Sequence, residues 1–115
     1  MLKIIDKPWG KEEILELNNN YMLKRLTMKK GARCSLQYHN FKCETIYIQS
    51  GELKILSGED KNNLDEKIYS TGEYITIEPK LLHRMEGITD CIYLEASTPN
   101  TDDTVRIEDD YNRNR

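Results

Sequence analysis

The chain is poor in the residues that define several common protein classes. Among its 115 residues are two histidines, three cysteines, three prolines, one tryptophan and one phenylalanine. The cysteines, Cys34, Cys43 and Cys91, are odd in number and match no zinc-finger spacing. A disulfide scaffold and a cysteine-bound structural zinc are therefore set aside in favour of free thiols in a reducing compartment. No apolar run approaches the roughly 20 residues needed to cross a bilayer, so no membrane partner is expected. The first residues, Met1-Leu-Lys-Ile-Ile-Asp6, are too few and too polar for a secretory signal, and the expected location is the cytoplasm. Basic residues are not in surplus. Lysine and arginine total 17 against 20 acidic residues, a net charge of −3, which argues against a nucleic-acid partner. No repeat, low-complexity tract or long linker interrupts the chain, and its length suits one domain with one core.

What is present is a succession of short β-prone runs, each closed by a turn signal. They cover residues 11–17, 21–28, 33–38, 44–49, 52–57, 64–69, 74–77, 83–86 and 91–96. Asn18-Asn-Asn20, Lys29-Lys-Gly31, Ser50-Gly51, the stretch 58–63 and Thr71-Gly72 punctuate them. Many short strands at regular spacing predict an all-β sandwich or closed barrel. The tail, 102–111, fits a short helix or a docked arm equally well. We divide the chain into an N-terminal arm and first strand (1–20), a barrel (21–97) and a tail packed on it (98–115).

The chemistry is concentrated between Gly31 and Gly51. Gln37, His39 and Glu44 lie within eight positions of one another, and the second histidine, His83, is on a later run. On a strand, Gln37 and His39 share a face. Glu44 shares its face with Ile46 and Ile48, and a buried carboxylate among isoleucines needs a cationic partner or becomes protonated. Imidazole, carboxylate and amide donors together suit Zn, Mn, Fe, Co or Ni. In the run 91–96, Glu95 alternates with Ile92, Leu94 and Ala96. Parity alone does not say which of the two faces is interior, so Glu95 is either a cavity carboxylate, and then a candidate general base, or a surface one. Arg33 has the parity of Gln37 and His39 and so faces the cavity mouth, whereas Arg84, next to His83, is expected to turn outward into solvent.

Taken with its spacing, this stretch resembles the first motif of the cupin superfamily, G-x5-H-x-H-x3-4-E-x6-G, with Gln37 at the first histidine. Gly72 and His83 match the second motif, G-x5-P-x-G-x2-H-x3-N, while Glu78, Lys80 and Gly87 depart from its proline, glycine and asparagine. Within cupins the chain is most similar to the type II phosphomannose isomerase domain. Lys7-Pro-Trp-Gly10 resembles its R-P-W-G opening, Ser35-Leu-Gln-Tyr-His39 its S-L-Q-x-H, and His83-Arg84 its H-R. Residues 102–111 resemble its closing D-D-x-V-R-x-E-D-D-Y. Phe41 and Lys42 stand where that family has a second histidine and an arginine.

The resemblance implies a single-domain double-stranded β-helix, or jelly-roll, barrel. It implies one divalent metal held by Gln37, His39, Glu44 and His83, and a sugar-phosphate or nucleotide-sugar ligand. It also implies isomerase chemistry of the mannose 6-phosphate to fructose 6-phosphate type, and a homodimer pairing through a face that carries Tyr47. On this reading Glu95 is the candidate base, and Arg33, Lys42 and Arg106 are the candidates for holding the phosphate. A non-catalytic sugar or sugar-nucleotide binding cupin, and another metal-dependent cupin enzyme such as a lyase or dioxygenase, remain open on the same residues.

Overall fold

The computed structural model describes residues 3–112, and no helix occurs among them. Eleven strands make up this part of the chain: β1 (Lys3–Lys7), β2 (Gly10–Leu17), β3 (Met22–Met28), β4 (Leu36–His39), β5 (Glu44–Ser50), β6 (Glu52–Gly58), β7 (Asp65–Ser70), β8 (Tyr74–Ile77), β9 (Leu82–Gly87), β10 (Cys91–Ser97) and β11 (Thr104–Glu108). One sheet runs β1-β2-β3-β10-β5-β8 and the other β11-β4-β9-β6-β7, with every pairing antiparallel. This is the expected all-β jelly roll. The tail resolves into a strand, β11, on β4.

Inward-facing side chains change character along the barrel. From one end to the other, β5 presents Glu44, Ile46 and Ile48, β9 presents His83 and Met85, and β10 presents Glu95, Tyr93 and Cys91. Strand β3 does the same with Lys24, Leu26 and Met28. One end is thus a packed apolar core completed by Trp9, Leu53, Ile55 and Ile77. The other end is lined by polar and charged groups, and the core beneath holds them in place. Tyr47 and Tyr74, cross-strand partners on β5 and β8, stand exposed on the outer face.

Two backbone positions explain motif residues. Gly51 joins β5 to β6 at φ +85°, and a Cβ there would meet the Asp90 carbonyl oxygen at 2.3 Å. Only glycine fits. Lys80, where the cupin motif has glycine, keeps the left-handed conformation at φ 75°. Its amide donates to the His39 carbonyl at 2.7 Å and its ammonium to Asn40 Oδ1 at 2.9 Å. The turn before His83 is therefore retained in spite of the substitution.

Candidate metal centre and cavity

The polar end of the barrel encloses a cavity of about 90 Å³. Gln37, His39, Glu44 and Glu95 all line it. Strands β4 and β9 pair within one sheet, with Gln37 opposite His83, and β5 brings Glu44 to them from the facing sheet. His39 Nε2 is 3.6 Å from Glu44 Oε2, and His83 Nε2 is 3.5 Å from Glu44 Oε1. One donor atom from each of these three residues falls within 4.8 Å of the others. Separations near 3.5 Å are those of neighbouring ligands on one ion with bonds of about 2.1 Å. Gln37 Oε1 accepts a hydrogen bond from the buried Ser35 hydroxyl at 3.2 Å.

The outer nitrogens are also committed. His83 Nδ1 lies 2.9 Å from the Leu81 carbonyl, which can only accept, so the proton sits on Nδ1 and Nε2 turns its lone pair toward Glu44. His39 Nδ1 lies 3.3 Å from the Thr104 hydroxyl. Burial, followed by the charge of Lys42 and then His83, presses the His39 imidazole down to about 4. Burial also lowers His83. Both rings are neutral at pH 7, the state a metal ligand requires. His83 Nε2 is buried and accepts no hydrogen bond, whereas Glu44 Oε2 has the Lys42 ammonium 3.1 Å away. An orphaned buried acceptor is costly, and a divalent cation beside it removes that cost. The donor set fits such an ion.

Beside the cluster is a buried triad. Lys42 Nζ is 2.7 Å from Glu95 Oε2 and 3.1 Å from Glu44 Oε2, and all three side chains are less than a tenth exposed. Burial alone would lower the Lys42 ammonium, but the Glu95 and Glu44 carboxylates outweigh it and hold it above its ordinary value. Burial and then the Glu95 charge push Glu44 up to about 7 against the pull of Lys42. For Glu95 burial acts upward, yet Lys42, Lys24 and His39 together bring its carboxyl below the usual range. The two carboxylates are thus driven apart, Glu44 upward and Glu95 downward.

The structure answers the parity question for Glu95: Cys91, Tyr93 and Glu95 form the inner face of β10, while Ile92 and Leu94 are turned outward. Two sequence expectations fail. Arg33 does not line the cavity; it precedes β4 at an isolated bridge to Glu86, where strand alternation has not begun. Its guanidinium binds Asp110 through Nε at 2.6 Å and through a second nitrogen at 3.1 Å. Arg84 is not solvated. It is 5% exposed and lies under the tail, donating to the Cys34 carbonyl at 2.8 Å and to Asp110 at 3.1 Å. Lys42, a phosphate candidate by sequence, is committed to the two carboxylates. Phe41, at the position of the family's second histidine, is 74% exposed and outside the cavity lining. That departure alters the surface and leaves the ligand cluster intact.

Sequence reasoning passed over Lys24 and Asp103. Lys24 lines the cavity from β3, and the alternation Met22, Lys24, Leu26, Met28 places it on an apolar face, a signal of the same kind as Glu44 among isoleucines. Asp103 accepts the backbone N–H groups of Asn40, Phe41 and Lys42 at 3.2, 2.7 and 2.8 Å. It fixes the loop that delivers Lys42.

Comparison with known proteins shows the family and the fold. Residues 2–109 match the family described as Mannose-6-phosphate isomerase C-terminal. The chain belongs to that family. It is 30% identical over 112 residues to the xanthan biosynthesis protein XanB of Xanthomonas campestris, spanning 93% of this chain and 23% of that protein. It is 31% identical over 112 residues to the alginate biosynthesis protein AlgA of Pseudomonas aeruginosa, spanning 93% and 22%. A mannose-1-phosphate guanylyltransferase of Salmonella typhimurium, RfbM, is 27% identical over 107 residues, 89% and 21%. The chain thus spans less than a quarter of the length of these relatives. Among solved structures, an RmlC-like cupin from Shewanella frigidimarina superposes with a TM-score of 0.74 at 22% identity, covering 87% of this chain and 86% of that one. The capsular polysaccharide assembling protein CapF of Staphylococcus aureus superposes at 0.78 with 20% identity, covering 92% and 31%. These likenesses establish the cupin fold of this family member.

Proposed function

We propose that this cupin holds one divalent cation through Gln37, His39, Glu44 and His83 and isomerises a sugar phosphate of the mannose 6-phosphate to fructose 6-phosphate type. The observation that carries the reading is Glu95, a buried carboxylate on the cavity wall beside the ligand cluster, held ionised by Lys42. When bound, the cation supplies Lewis acidity to the carbonyl and hydroxyl oxygens of the open-chain sugar. Glu95 removes the proton from C2 and returns it to C1 of the resulting enediol, while the proton of the O2 hydroxyl passes to O1, so the aldehyde becomes an alcohol, C2 becomes the carbonyl and the residue ends each cycle as it began. Lys42 is a fixed positive charge beside the reacting oxygens and keeps Glu95 aimed. The apolar core under the cluster, with Leu26, Met85 and Tyr93 on the cavity wall, limits water around the enediol. The names of the relatives, which include a mannose-1-phosphate guanylyltransferase and polysaccharide biosynthesis proteins, support a phosphorylated sugar as the ligand class. A homodimer through the outer face bearing Tyr47 and Tyr74 belongs to the same proposal, and loss of dimer mass in Tyr47→Arg by light scattering tests it.

Proton NMR of mannose 6-phosphate in D2O tests the reaction, with the chain loaded in turn with Zn, Mn, Co and Fe(II). The expected result is metal-dependent loss of the C2 proton signal and appearance of fructose 6-phosphate, abolished in Glu95→Gln with metal still bound. Absence of exchange with every bound metal, under conditions where a known isomerase turns over, overturns the assignment.

A further inference from the structure

The phosphate end of the substrate has no holder among Arg33 and Lys42, whose charges are spent elsewhere. We propose that Arg106 is the anchor of a phosphate-monoester subsite at the cavity mouth, assisted by Lys24; the substrate class rests on the isomerase reading above. Four arginines lie among the described residues, and three of them are paired: Arg25 with Glu13, and Arg33 and Arg84 with Asp110. Arg106 meets no carboxylate among the described residues, and its Nε–H is buried with no hydrogen-bond partner. A buried guanidinium donor left unpaired costs about as much as a lost hydrogen bond to a charged group, so its retention points to a ligand.

Its position fits the far end of a sugar whose reacting end is at the ligand cluster. Arg106 is the register partner of Gln37, and Gln37 is the register partner of His83. The three residues form one row across β11, β4 and β9, so two strand spacings, about 10 Å, separate the Arg106 backbone from that of His83. Arg106 lines the inner cavity and also a vestibule of about 340 Å³ outside it, and Lys24 borders both. The two spaces therefore share Arg106 and Lys24 as common walls. The vestibule also contains Glu12 and Asp102, and Glu12 is 3.3 Å from Lys24 Nζ. Lys24 is thereby partly neutralised, and Lys7 borders both spaces as well; the Arg106 guanidinium, with no carboxylate beside it among the described residues, offers the planar geometry suited to a phosphate monoester.

The strand is anchored on both sides of Arg106. Thr104 contacts His39, and Asp110 is clamped by Arg33 and Arg84, while the Tyr111 hydroxyl donates to the Arg33 carbonyl at 3.0 Å. The arginine is held in place before a ligand arrives, which reduces the ordering cost of binding.

The test titrates mannose 6-phosphate and free mannose into the zinc-loaded chain and into Arg106→Gln and Arg106→Lys, with zinc affinity and melting temperature measured for each. The wild type is expected to prefer the phosphorylated sugar, and Arg106→Gln to weaken mannose 6-phosphate about 10- to 100-fold, the loss of one charge-assisted contact. Affinities for mannose and zinc stay unchanged, and Arg106→Lys recovers part of the loss. A second readout is the Arg106 Nε–H resonance, expected to shift on adding inorganic phosphate to the metal-free chain. Equal preference in wild type and Arg106→Gln, or no shift of that resonance, overturns the subsite. Isomerisation persisting undiminished in Arg106→Gln at low substrate sinks the subsite and leaves the isomerase reading standing. Failure to bind zinc, with the phosphate response of Arg106 intact, does the reverse.

Discussion

Replacing Lys42 by methionine keeps the volume of the side chain and removes one charge from the buried triad. In the wild type, Lys42 lies 2.7 and 3.1 Å from two carboxylates that are less than a tenth exposed. At an effective dielectric near 20 those distances correspond to gross attractions of about 6 and about 5 kcal/mol. Desolvating the ions offsets several kcal/mol each, so the pair terms are not a net stability. The measurable quantity is the loss when one partner is removed, about 3–5 kcal/mol, because two uncompensated carboxylates stay behind. With a urea dependence of 1–3 kcal/mol/M this moves the unfolding midpoint by about 2 M. The pH dependence has a definite sign. The Glu44 carboxyl is already raised to about 7 in the fold, so its ionisation opposes folding as pH rises through that value. Without Lys42 this opposition grows. The deficit of Lys42→Met should therefore be largest at pH 8 and shrink at pH 5.5, where Glu44 takes up a proton. Zinc at pH 8 should narrow it too, by placing a cation beside the same carboxylates. Urea melts at both pH values, with and without zinc, read all three effects. A variant as stable as the wild type at pH 8 would show that the triad is hydrated and refute the buried-charge argument.

Three other perturbations follow from the same geometry. Lys80→Gly should stabilise the chain by about 1 kcal/mol, because a left-handed backbone at φ 75° strains any residue with a Cβ; a lowered melting temperature would show that the Lys80–Asn40 bond matters more. Asp103→Ala should speed amide exchange at Asn40, Phe41 and Lys42 specifically. Burial acts upward on Asp103, but the three N–H bonds outweigh it and lower its carboxyl, so its stabilisation is present at neutral pH and lost as pH falls below the ordinary value of 3.8. Zinc affinity should fall as pH drops through about 7, since Glu44 must release its proton to bind; a flat profile from pH 8 to pH 5.5 by calorimetry would contradict Glu44 as a ligand.

Where strands are continuous, alternation in the sequence located the inner face correctly: Glu44, Ile46 and Ile48 are all buried while Tyr47 is exposed. The same rule misplaced Arg33, because its segment joins the sheet through a single bridge before β4 begins. It also missed that Arg84, although turned from the cavity, is covered by a C-terminal strand some 20 residues later in the chain. Burial there depends on what docks from elsewhere, which local patterning does not encode. Strands β1 and β11 are edge strands held by pairing, β11 also by the flanking anchors Asp103 and Asp110, and their own sequences carry little apolar periodicity. That His39, Glu44 and His83 come together was legible as a spacing. The triad was not, since nothing in Lys42 taken alone distinguishes a buried charge from a solvated one.

The most direct test of the account is the metal content of the chain. Purified protein loaded with cobalt or zinc and then desalted should retain one ion per chain by elemental analysis, and cobalt should show visible absorption bands of a nitrogen- and oxygen-ligated site. His83→Ala should lose the ion while keeping its fold by circular dichroism. A wild-type chain that retains no ion after loading, or a His83→Ala variant that retains as much as the wild type, would contradict the central claim that His39, Glu44 and His83 form a metal centre.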